Sequence, residues 1–285
     1  MSFDPTPYIR VLTTLSLGGL LFGVGLRLTA AQVRDALGRS RPGWLLAANF
    51  VAVPLVVLGC IRLLDVPRDI AVGMLLLAAA PFAPVVPVFA RMAKADLPLA
   101  AVLTGMFPFA AVILTPLVCE VSLRAIPGAE SLRFSFLLMF GVLMATITLP
   151  MALGVIVRHH WVNVAVAILR PMEFVSEMIG AVSLAFVTLA EWRTIAGVGW
   201  KPLLAMVLAC EATMLLGYAA GSGPAAARRV TALGTSNRNI ALALLVAVGA
   251  FAGTPVLGAV VANGLVLILL GLVHVAVWRA GLRPA

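Results

Sequence analysis

Apolar residues run along the chain in long blocks, near 8–28, 43–64, 69–94, 97–123, 131–157, 169–190, 199–221, 225–250 and 254–278, parted by short charged or Pro/Gly-containing stretches. A helix of about 20 residues crosses a hydrocarbon layer roughly 30 Å thick, and each block is long enough. The pattern therefore predicts an all-α polytopic membrane protein of about nine transmembrane helices, with residues 1–285 forming a single membrane transport domain. Two blocks are broken in the middle. The third contains Pro81, Pro84 and Pro87, each of which removes a helical donor and crowds the preceding turn. The eighth contains Gly234-Thr235-Ser236-Asn237-Arg238-Asn239, a polar hexapeptide that lipid could not satisfy and that must face protein or a water-filled cavity. The breaks stand five blocks apart, so they cross the membrane in opposite directions. That predicts an inverted repeat, the first half about 1–125 and the second about 130–285, with the first half one helix short.

Composition agrees: 62% of residues are apolar and 11% charged. The net charge of +9 does not indicate nucleic acid, because no basic run with interleaved aromatics occurs. Assigned to alternate sides, the basic residues divide unevenly. One side has Arg27, Arg34, Arg39, Arg41, Arg91, Lys94, Arg158, Arg170, Arg228, Arg229, Arg279 and Arg283; the other has Arg10, Arg62, Arg68, Arg124, Arg133, Arg193 and Lys201. The richer side is expected to be cytoplasmic, placing the N-terminus outside, the C-terminus inside and the chain in the plasma (inner) membrane. The first block ends in Arg-rich sequence with no small-residue cleavage site and reads as a retained helix. Cys60, Cys119 and Cys210 stand alone as packing residues. His159, His160 and His274 have no acidic or thiol partner at ligand spacing, and together with the five tryptophans they read as interfacial.

Several stretches resemble the bile acid:sodium symporter family: Gly25-Leu26-Arg27-Leu28-Thr29, Ala48-Asn49-Phe50-Val51-Ala52-Val53-Pro54, the Ala-Pro-rich break, Leu114-Thr115-Pro116, and Gly234 to Ala243. The resemblance covers nearly the whole chain. It implies a panel and a core of nine or ten helices, two of them broken and crossing near the substrate and sodium sites. The sodium ligands depart from the family pattern. Where sodium-coupled members have Gly-Gly-x-x-Ser-Asn, this chain has Phe82-Ala83-Pro84-Val85-Val86-Pro87. The following Ser and Thr become Ala100 and Thr104, and Glu-x-Gly-x-Gln-Asn becomes Gly234 to Asn239, with Arg238 replacing the Gln. Asn49, Thr104 and Asn239 are the residual sodium-site positions. A fixed guanidinium opposes a neighbouring cation by roughly several kcal/mol in a low-dielectric site, which argues against sodium coupling.

Among single residues, Arg238 carries the sharpest signal, since an arginine at a helix centre costs at least about 2.5–3.5 kcal/mol on insertion. Either its planar fork holds an anionic substrate, or it is structural, through an ion pair or as a built-in cation in the former sodium site. Glu211, in Ala209-Cys210-Glu211-Ala212-Thr213, either pairs with Arg238 or relays a proton. Glu173 and Glu177 share a helix face; Glu173 reads as snorkelling to the interface, and Glu177, one turn deeper, either lines a cavity or, the reading preferred, has no role beyond structure. Thr235, Ser236, Asn237 and Asn239 cap the break and line the site. Pro108, Thr115-Pro116 and Pro150 are expected to kink helices without taking part in chemistry.

The expected substrate contacts are therefore Arg238, Asn239, Asn237, Ser236, Thr235, Glu211, Asn49 and Thr104, with no catalytic residue, resident metal or cofactor. The expected function is alternating-access transport of a small organic anion across a lipid bilayer, with sodium symport of such an anion as the alternative. No HExxH, GxSxG or GxxxxGK[ST] motif indicates an enzyme or an ATP-driven pump, and a membrane sensor would normally carry a soluble output domain.

Overall fold

A computed structural model describes residues 4–126 and 135–281. The junction of the expected halves, the start of the fifth block, Arg133 and Arg283 lie partly or wholly outside the described residues. Within them the chain is helical and forms no strand. The helices are α1 (Thr6–Arg27), α2 (Ala30–Arg39), α3 (Pro42–Ala47), a π-helical turn (Ala48–Ala52), α4 (Val53–Leu63), α5 (Arg68–Ala78), α6 (Val86–Met92) and α7 (Leu97–Arg124). They continue with α8 (Phe136–Leu143), a second π turn (Met144–Thr148), α9 (Leu149–His160), α10 (Val162–Ala190), α11 (Trp192–Ala196), α12 (Trp200–Ala220), α13 (Ala225–Ser236), α14 (Ile240–Ala250) and α15 (Val256–Ala280). Seven continuous segments are long and apolar enough to span a membrane. Their outward faces carry exposed Leu15, Leu55, Ile113, Leu137, Leu189 and Leu215, a surface that lipid tolerates and water does not.

Two stretches differ from the sequence reading. The connection after α1 contains α2, whose start is fixed by a capping box: Thr29 accepts from the Gln32 amide, and Gln32 accepts from the Thr29 amide. The sixth block begins earlier than residue 169, because α10 follows α9 after Trp161 alone, so Arg170 sits inside a helix rather than in a loop.

α1 packs against α9 and α10, forming a wall. α4, α5, α12, α13, α14 and α15 pack into a second group, with α6 and α7 against α13. Without a hydrophobic drive between helices in lipid, close packing depends on small residues. At the α1–α9 crossing a methyl group on Gly25 would collide with Met151 O, and one on Gly154 with Phe22 O. Gly154→Ala should therefore lower stability by about 2 kcal/mol. Gly141→Ala, where a methyl meets nothing within 4 Å, should leave it nearly unchanged, so melting temperatures of the two variants in detergent check the packing.

Candidate functional site

The two broken helices, α5–α6 and α13–α14, meet at their interruptions. The Ala83 amide donates to Asn237 O (3.1 Å) and the Asn239 amide to Ala80 O (2.8 Å), so each break satisfies backbone groups of the other.

The carbonyls at the end of α5 show how the prolines build the site. Pro81 has no N–H to offer Leu77 O four residues back, and the chain leaves the helix before Phe82 could reach Ala78 O. Each of the freed oxygens finds a partner. Leu77 O accepts from the Ala80 amide (3.0 Å) and Arg238 Nε (3.4 Å), and Ala78 O accepts from Arg238 Nη2. Ala79 O accepts from Thr115 Oγ1 (2.6 Å), and Ala80 O from Asn239. Thr115 therefore holds the break, a role that the sequence reading did not assign to it.

The π turn supplies two more acceptors by similar logic. In it the Val53 amide bonds to Ala48 O, and the next residue, Pro54, has no amide at all. Asn49 O is thus left without a helical donor. It accepts from Arg238 Nη2 (3.1 Å), while Asn49 Oδ1 accepts from Nη1 (2.7 Å). Thr235 O accepts from the same Nη1 (3.1 Å). Asn49 Nδ2 completes the cluster by donating to Thr235 Oγ1 (3.1 Å) and Leu45 O (3.0 Å).

Arg238 is 4% exposed, and its five N–H donors meet five oxygens: Leu77 O, Ala78 O, Asn49 O, Asn49 Oδ1 and Thr235 O. The guanidinium also sits where α5 and α13 both end, at the negative poles of two half-helices. No acidic side chain pairs with it among the described residues, and no donor remains to receive a carboxylate.

A cavity of about 390 Å³ opens on the other side of the crossing, between the wall and the core. α1 and α10 contribute Thr13, Ser16, Glu177 and Ser183; the breaks and α14 contribute Ala83 to Val85 and Asn237 to Ala241. Its size suits a small molecule. Thr13 and Ser183 hydroxyls bond each other (3.0 Å), and Ser16 Oγ donates to Ser176 O (2.9 Å), so these groups largely stitch α1 to α10. None of the three was singled out from the sequence; small polar residues on two otherwise apolar blocks were the available signal.

The remaining expected contacts separate. Asn239 caps α14, its Oδ1 accepting from the Leu242 amide (3.0 Å), and Asn237 Nδ2 donates to Ser236 Oγ (3.2 Å); both asparagines line the cavity. Ser236 Oγ turns away, toward Met214 Sδ (3.5 Å). Thr104 Oγ1 is buried without a hydrogen-bond partner. Glu211 is not beside Arg238: its Oε2 lies 3.2 Å from His274 Nε2, joining α12 to α15, so His274 does have an acidic partner. Glu173 pairs with Arg27 instead of snorkelling alone.

Two interrupted helices that close on each other beside a cavity between two helical groups are the arrangement expected around the binding site of a membrane transport protein. Residues 14–197, more than half of the chain, match the family model described as the Sodium Bile acid symporter family. The chain belongs to that family of membrane transporters. Among curated proteins none matches it. The family match ends before α12, so the second break and Arg238 lie beyond it.

Proposed function

We propose that the protein is a sodium-independent carrier of small organic anions, working by alternating access. Saturation of Arg238 carries this reading: its guanidinium fills an all-oxygen cage at the ends of two half-helices, and so supplies from the chain the positive charge that a bound ion would bring. Arg238 then acts on the substrate through its field rather than through its fork. The anion falls to the opposite poles of the broken helices. Ile240 and Ala241, the first residues of α14, have amides that the helix leaves unbonded, and both line the cavity beside Asn237 and Asn239.

Counting the broken helices α5–α6 and α13–α14 with the seven continuous spans makes nine crossings in two inverted halves, N-terminus outside and C-terminus cytoplasmic. Sodium symport of an organic anion is favoured by one observation, the unpartnered Thr104 hydroxyl, which is a free oxygen at a residual sodium position.

Melting the purified protein against a panel of small organic acids, in sodium and in matched choline buffer, separates the two. A ligand at 100 times its Kd stabilises the folded state by about 2.7 kcal/mol. At least one acid should raise the melting temperature by the same amount in both buffers. Stabilisation seen only in sodium would overturn the proposal and establish symport.

A further inference from the structure

Besides the anion site, the cavity presents an acidic side chain that the carrier reading leaves without a role. Arg238 and Glu177 are the charged residues in its lining. Every donor of Arg238 is already bound within the protein, which leaves the carboxylate of Glu177 as the charged group with capacity to spare. Glu177 makes no hydrogen bond or ion pair among the described residues. Its neighbour Glu173, one turn away on α10, is ion-paired with Arg27 and also feels Arg91, so the basic residues of that region act on the other acid. Of the hydroxyls in the wall, Ser16 Oγ donates to Ser176 O, and Thr13 and Ser183 share one hydrogen bond across the α1–α10 contact. An ionisable side chain facing a cavity at membrane depth calls for a partner, and none is present among the described residues.

We infer that Glu177 is a specificity-determining residue that binds a protonated amine on the transported solute. This rests on the carrier reading above and narrows it. If the carboxylate of the solute lies at the start of α14, the solute is a small zwitterion with an apolar body, since Leu20, Phe89, Leu184 and Ile268 form much of the remaining lining. A solute with a carboxylate alone would leave Glu177 unpaired and repelled.

Three probes of one carbon skeleton test this: leucine, 4-methylpentanoate, which lacks the amine, and 3-methylbutylamine, which lacks the carboxylate. Binding is read by melting temperature and by tryptophan fluorescence in sodium and in choline buffer, for the wild type and Glu177→Gln. Glu177 is exposed, and the variant without ligand should melt with the wild type. Leucine should bind the wild type at least tenfold tighter than 4-methylpentanoate, and Glu177→Gln should bring the two within about twofold. Equal binding of leucine and 4-methylpentanoate, unchanged in Glu177→Gln, overturns the inference while leaving the anion carrier intact. Binding of 3-methylbutylamine that equals leucine and is lost in Glu177→Gln upholds Glu177 and overturns the anion reading. A sodium requirement in the leucine arm counts against sodium independence alone, and no binding by any probe overturns the assignment of Glu177.

Discussion

Arg238→Ala should lower stability by about 3–5 kcal/mol, since each buried oxygen that loses its donor costs about 1–3 kcal/mol. Five oxygens from three parts of the chain would be left facing an empty space, with Leu77 O and Ala78 O held there because their helix has ended. The loss should also become cation-dependent. Guanidinium ion added at about 20 mM should raise the melting temperature of the variant and not of the wild type; as a denaturant at that concentration it costs only about 0.1 kcal/mol. Sodium against choline gives a second comparison, with a rise again expected only in the variant. An alanine variant that melts like the wild type would show that the cage does not depend on its arginine.

Gly234→Ala should be nearly as damaging, at about 3 kcal/mol, the upper end of the ordinary cost of overpacking. A methyl group at Gly234 would collide with the ring of Phe82, which is fully buried and stacks on Phe107 with centroids 4.1 Å apart. The ring has little freedom to retreat. Phe82 adopts φ 51°, in the left-handed region that costs a bulky residue about 1–2 kcal/mol, so both breaks meet at a point already under strain. Melting of Gly234→Ala beside Gly249→Ala, where a methyl meets nothing within 4 Å, measures the effect.

Much of the fold was legible because the bilayer imposes a simple rule: apolar blocks of sufficient length become helices, and prolines or polar hexapeptides interrupt them. The two breaks and the burial of Arg238 followed from that rule. What the arginine does there did not follow. Its partners are mostly main-chain carbonyls, and carbonyls are the same in every sequence; only their release by Pro81 and Pro54 is written in residue types. The Pro54 signal can be stated in retrospect. In both π turns, Ala48–Ala52 and Met144–Thr148, a proline follows two residues after the turn ends, at Pro54 and Pro150. A missing amide at that spacing leaves a carbonyl that the wider turn accommodates. The pairing of Glu211 with His274 was hidden for a different reason, since the two meet across separate helices 63 positions apart, as their numbers give. Glu211 also appeared suited to Arg238 only because both were the deep charges in view.

The oxygen cage also has an order of assembly. Asn49 and Ala78 precede Arg238 by 189 and 160 residues, so at a synthesis rate of about 5–20 residues per second they wait roughly 8–40 s for the side chain that will bind them. Until then those carbonyls lack the donor that Arg238 gives them in the folded chain. Addition of α13 and α14 thus completes a cluster whose acceptors were made much earlier in the chain.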